Sequence, residues 1–199
     1  VYQDWSHRGP SITAEPHFPP DGPAWAPCRG PGAAVATSAT AVHRRVTRVR
    51  RTRFAAAGLL WFEATSIAPE ARANPRQLLL TRETVPALAR LRERTLSEAR
   101  RIYGRTFRPF TVLQLAHSGR YSRPVDRPAP IIAHHDALLD PALGLPEDYA
   151  LISDDDLDRL QDRYVEAAQL AARCGFDGLD IKSCHRYLIS ELLAAHTRP

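Results

Sequence analysis

Lys182, His185 and Tyr187 fall within six residues of one another, directly after the apolar stretch 176–181. An ammonium, an imidazole and a phenol can each donate a hydrogen bond to an oxygen that gathers negative charge, and the imidazole and phenol can also pass a proton. A second polar point lies in the apolar run 110–116, which contains Gln114 and continues as His117-Ser118-Gly119-Arg120. A third follows the run 58–62, which ends in Glu63-Ala64-Thr65. In parallel α/β architectures reactive groups collect where strands end and loops begin, so three polar strand ends are candidate parts of one site.

Each of these residues also has a plain structural use. Gln114 could be a satisfied core amide, Tyr187 a packing residue, and Lys182 a partner of Asp180. His117 is expected to orient its own loop, and Cys184 to be a small buried filler. His134-His135-Asp136 lies in a proline-rich stretch and reads as a solvated turn rather than a metal site. Cys28, Cys174 and Cys184 show no C-x-x-C spacing, which argues against a disulfide framework or a structural zinc. No metal ligand set is assigned.

The elements that would hold these groups alternate. Residues 58–64 and 110–116 are continuous apolar runs, the pattern of parallel strands buried on both faces. Residues 84–103 place Val85, Leu88, Leu91, Leu96, Ala99 and Ile102 near one helical face. Ser153 followed by Asp154, Asp155 and Asp156 suits a helix start, with Leu157, Leu160, Tyr164, Ala168 and Ala171 as its buried stripe and Gly175 past its end. Residues 176–181 form a third strand and 187–195 another helix, while 118–151, rich in proline, reads as a long loop. Strand and helix in alternation imply right-handed βαβ units and a parallel sheet.

The first quarter is unlike the rest. Of the 27 basic residues only Lys182 is lysine, and eight arginines fall in 1–53 against Asp4, Glu15 and Asp21, so the whole net charge of +5 sits there. Six prolines between 16 and 31 and the basic run 43–53 carry no apolar period. The expected division is therefore an unassigned Pro/Arg-rich segment, 1–53, out of frame or disordered, and an α/β portion, 54–199. No apolar run approaches a membrane span, and no basic-then-apolar leader opens the chain. The expected compartment is the cytoplasm.

Three stretches, in order, resemble one known family. Gln114-Leu115-Ala116-His117-Ser118-Gly119-Arg120 is similar to the Q-L-x-H-x-G-R stretch of Old Yellow Enzyme-like NADH:flavin oxidoreductases. Residues 174–193 resemble their A-G-[FY]-D-G-[VI]-[ED]-[IV]-H-x-[AG]-[HN]-G-Y-L segment, and 62–70 their E-A-T-x-[IV]-x-P-E-G-R. The resemblance covers about 54–199 and implies the second to fourth βα units of a (β/α)8 TIM barrel, hence an incomplete barrel behind an irregular N-terminal segment. It implies FMN as cofactor, NADH or NADPH as hydride donor, and a small substrate with an electron-poor double bond. Gln114 and the backbone at Ala64 would meet the flavin; Lys182 and His185 would hold the substrate oxygen; Tyr187 would donate the proton.

The sequence departs from the family pattern at Lys182, where the family has His, and at Arg186, where it has Gly. A methionine-bearing first strand is not matched in 1–53, and the family continues beyond the segment where this chain stops, so an incomplete polypeptide that binds FMN weakly and aggregates is expected. The alternatives are a dienoyl-CoA reductase or N-demethylase-type flavoenzyme of the same superfamily, and, from another class, a nucleic-acid-binding protein using the basic run 43–53. Substrate identity and oligomeric state stay open.

Overall fold

The computed structural model describes residues 58–196 and 198. Everything read from 1–53, including the basic run and the missing first strand, lies outside the described residues. Three strands, β1 (Leu59–Ser66), β2 (Phe110–Ala116) and β3 (Gly178–Ile181), pair in the order β1-β2-β3, every pair parallel. Helix α1 (Val85–Tyr103) links β1 to β2, and helix α3 (Asp154–Arg173) links β2 to β3. Between β2 and α3 lie a single 3-10 turn (Gly119–Tyr121) and the four-residue α2 (Leu139–Ala142), so the segment read as a loop has structure of its own. Helix α4 (Leu188–Ala194) follows β3.

Local chemistry accounts for the helix ends. Ser153 Oγ accepts from the Asp156 amide at 3.1 Å, satisfying one free donor, and three aspartates face the positive end of α3. Gly175, at φ 85°, takes the left-handed turn after α3, where a Cβ would also lie 3.0 Å from Arg92 Nη1. Pro86 occupies the first turn of α1, where its missing N–H costs nothing.

One sheet face is packed. Leu113 and Leu115 of β2 meet Leu88 and Leu91 of α1 and Leu160, Ala167 and Leu170 of α3 in a single core, with Phe62 edge-on to Phe176 at 4.9 Å. Asp177 fastens the other end of the sheet. Burial works against its charge, but the Thr111 amide (2.9 Å) and hydroxyl (2.6 Å) and the guanidiniums of Arg108 and Arg92 hold its carboxyl well below the usual range.

The opposite face differs from the expectation of strands buried on both sides. Leu59, Trp61 and Phe110 are 48%, 57% and 47% exposed. The register explains this: Leu59 pairs with Phe110 and Trp61 with Val112, so these side chains share the face turned away from α1 and α3. Among the described residues no second layer covers it. The apolar composition of β1 is that of a strand with partners on both faces, and here only one face has them.

Candidate functional site

The C-terminal ends of the three strands bring the sequence candidates together. Gln114 on β2 pairs laterally with Asp180 on β3, and its Nε2 donates to the Asp180 carboxylate. On the other side, the β1–β2 ladder is regular to Phe62, resumes at Thr65, and carries a bulge between them, so Glu63 and Ala64 stand opposite Gln114. Ala64 is half-buried, and its carbonyl accepts from Gln77 Nε2 at 3.0 Å. Ala64 and Gln114 are thus neighbours at one strand end.

The second group follows β3 directly. The Lys182 amide still bonds the Leu115 carbonyl at 2.9 Å, after which the chain turns sharply: His185 and Arg186 both adopt positive φ, 63° and 55°. Such conformations are costly for residues with side chains and signal a locally imposed shape. The turn brings Tyr187 back so that Lys182 Nζ lies 4.6 Å from its ring centroid. That is cation–π distance, worth about 0.5–1 kcal/mol at an exposed site. Lys182 therefore does not pair with Asp180, whose partner is Gln114. The imidazole of His185 is 6.3 Å from the Tyr187 ring, centroid to centroid, and its Nδ1 is 2.9 Å from Cys184 Sγ. Cys184 is exposed, not a buried filler; it belongs to the outward turn rather than to the strand, and no core surrounds it.

Tyr187 is the best enclosed of this group. Burial raises its phenol above the ordinary range, with Cys184 adding to the rise. The Ser118 side chain acts the other way without making a formed hydrogen bond of its own. A raised phenol is fully protonated at neutral pH, the state a proton donor needs.

What holds Tyr187 in place was not anticipated from sequence. Tyr187 is the N-cap of α4, and the Leu188 amide donates to the His117 carbonyl at 3.2 Å. Gly119 fits against this turn so closely that a Cβ would sit 2.6 Å from Leu188 N. Arg120, fully buried, donates to the carboxylates of Asp140 and Glu191 and to the His134 carbonyl at 2.8 Å. Glu191 also accepts from the Ala133 amide at 3.2 Å, and Asp140 from His135 Nδ1 at 2.9 Å. One guanidinium thus ties α2, the loop before it and α4 into a single support. His135 and Asp136 serve this support: Asp136 caps α2 by accepting from Leu138 and Leu139. His117 is buried, accepts from the Gly119 amide at 3.1 Å, and is pushed down to about 4 by burial and by the charge of Arg163, so it is neutral and orients its loop.

Comparison with known proteins bears on the family and the fold. The family model for the NADH:flavin oxidoreductase / NADH oxidase family matches residues 41–198. An NADPH dehydrogenase of Bacillus pumilus (strain SAFR-032) is 30% identical over 139 residues, 69% of this chain and 37% of that protein. Among solved structures, morphinone reductase superposes with a TM-score of 0.59 at 24% identity, over 77% of this chain and 43% of the other. Morphinone reductase in complex with tetrahydroNAD gives 0.55 at 24%, over 78% and 44%. The chain therefore spans less than half the length of the relatives it matches. Its sheet and helices are part of an α/β TIM barrel, and the family works with FMN and NADH or NADPH. With a family model matched over most of its length, the chain belongs to the NADH:flavin oxidoreductase / NADH oxidase family.

Proposed function

We propose that this chain supplies the flavin-edge and proton-donating part of an FMN-dependent, NAD(P)H-driven reductase of electron-poor alkenes. The observation that carries the reading is the convergence of Gln114, the Ala64 bulge and Tyr187 at the C-terminal ends of adjacent parallel strands. The residues present fit a flavin ring edge. The Gln114 amide offers both a donor and an acceptor, with Asp180 fixing its orientation, and the bulge keeps the small Ala64 beside it out of the regular ladder. Gln114 and the backbone at Ala64 would hold the ring edge of FMN, which when bound would supply the hydride chemistry driven by NADH or NADPH.

The chain's own residues do the rest. Gln114 orients the ring edge. Lys182 and His185 donate to the substrate oxygen, where charge gathers as the double bond is reduced. Tyr187 gives its phenolic proton to the carbon next to that oxygen-bearing group, and regains it from solvent. The chain covers 37% of the length of its Bacillus relative, and the activity proposed is that of the whole protein. Besides FMN and NADH or NADPH, this reading requires a small-molecule substrate.

The cofactor seat is tested by titrating FMN and following its fluorescence. Gln114→Ala should raise the FMN dissociation constant about tenfold, as expected for a lost hydrogen bond that leaves polar groups unsatisfied. Identical isotherms for the two proteins would remove Gln114 from the site.

A further inference from the structure

A cavity of about 570 Å3 lies on one face of α3, walled also by Glu70, by 130–131 and by 149–152. None of Ala64, Gln114, Lys182, His185 and Tyr187 lines it, so it is distinct from the strand-end site. Pockets that take small molecules run to about 300–1,000 Å3, so it has room for one. Its α3 wall is Asp156, Arg159, Leu160 and Arg163, which recur at helical spacing. Pro130, Ile131, Leu151 and Leu160 make its apolar part.

The polar side chains on the wall differ in what they have left to bond. Asp156 is engaged: its carboxylate accepts from Ser153 Oγ and from Arg159 Nη2, both at 2.6 Å. Tyr149 donates its hydroxyl to the Pro130 carbonyl at 2.8 Å. Arg163 makes no hydrogen bond among the described residues, and its Nη2 stands 4.0 Å from the Glu70 carboxylate. His117 is 4% exposed, and its Nδ1 accepts from the Gly119 amide at 3.1 Å. Burial and the charge of Arg163 keep the imidazole neutral at physiological pH, so its single proton is on Nε2. Nothing among the described residues accepts that proton. A buried donor without a partner calls for an acceptor. With Nδ1 turned to Gly119, the Nε2 edge is the one left to face the cavity.

We propose that this cavity binds a small apolar carboxylate. One carboxylate oxygen accepts from His117 Nε2 and the other pairs with the Arg163 guanidinium. The hydrocarbon part lies against Ile131, Leu151 and Leu160. Charge favours this class over a neutral carbonyl compound, whose oxygen uses the His117 donor but leaves the Arg163 charge unmatched. Glu70 opposes the ligand, because it competes for Arg163. The site stands whether or not the protein reduces alkenes.

The probe is 2-naphthoate, with methyl 2-naphthoate as its uncharged counterpart, and equilibrium dialysis against the full chain measures both. Naphthoate should bind about tenfold more tightly than the ester, the worth of a charge-assisted hydrogen bond. His117→Asn should remove most of that advantage: the new Oδ1 replaces Nδ1 as the acceptor for the Gly119 amide, and no Nε2 donor remains. Arg163→Gln should weaken naphthoate about threefold and leave the ester unchanged, since the guanidinium is partly exposed. Glu70→Gln should tighten naphthoate, a gain that misfolding cannot produce. Naphthoate should also shift the His117 Nε2–H resonance in the NMR spectrum of the 15N-labelled protein. No binding of naphthoate, equal binding of acid and ester, or an unmoved His117 resonance would each overturn the proposal. So would an unchanged naphthoate affinity in both His117→Asn and Arg163→Gln.

Discussion

Replacing Tyr187 with phenylalanine should slow reoxidation of the reduced, FMN-saturated protein by an electron-poor alkene by about 10²–10⁴-fold, the usual worth of a positioned general acid. Reduction of the same protein by NADH or NADPH should change little, because that step needs no proton from the phenol. The substitution is conservative in structure. The ring keeps its place over Lys182 Nζ at 4.6 Å and the N-cap backbone of α4 is untouched, so only the hydroxyl is lost. The hydroxyl is protonated at neutral pH, as an ordinary phenol is, and burial raises its pKa further. Rapid anaerobic mixing separates the two half-reactions. Equal losses in both would mean that Tyr187 shapes the site rather than protonates the product.

The second large effect concerns stability. Arg120→Met should destabilise the fold by about 3–5 kcal/mol, the typical cost of breaking a buried ion pair by removing one partner. The methionine fills much of the same volume, but it leaves the Asp140 and Glu191 carboxylates buried, their side chains 9% and 3% exposed, without their shared cation. Urea unfolding measures the loss. Converting all three residues to apolar ones of similar size should recover most of it, since the penalty comes from the stranded charges rather than from the absence of an attraction. A loss under about 1 kcal/mol for Arg120→Met alone would show that water reaches the network and screens it.

The parts of this fold that are legible in the sequence are those governed by short-range rules. β2 has the expected bounds because Pro109 precedes it and a mostly apolar run fills it. α3 starts at Asp154 because Ser153 and the acidic first turn set its N-terminus, and it stops where Gly175 supplies a left-handed residue. The buried stripe along α3 is shifted from the expected one: Ala167 and Leu170 are buried, whereas Ala168 is only partly so.

The site was legible as a set of residues and not as a geometry. Gln114, Ala64 and Tyr187 stand at or just past the ends of apolar runs in the sequence, and the sheet gathers those ends. That Lys182 would reach back over Tyr187 depends on the left-handed turn at His185 and Arg186, two residue types that rarely adopt it. The same turn puts Cys184 outside, against the expectation of a buried thiol. The Arg120–Asp140–Glu191 support joins residues 71 and 20 positions apart. Its one sequence signal is a charged residue in an apolar setting: Glu191 among Leu188, Ile189, Leu192 and Leu193. A charge so placed needs a buried partner.

Protonation by Tyr187 from a fixed direction, of an alkene held beside the flavin edge, leaves a record in the product. Running the reduction in D2O and locating deuterium in the product by NMR tests it most directly. One deuterium at the α-carbon, delivered to a single face, is the expected result. Deuterium distributed over both faces of that carbon would mean that solvent, and not a positioned residue, supplies the proton.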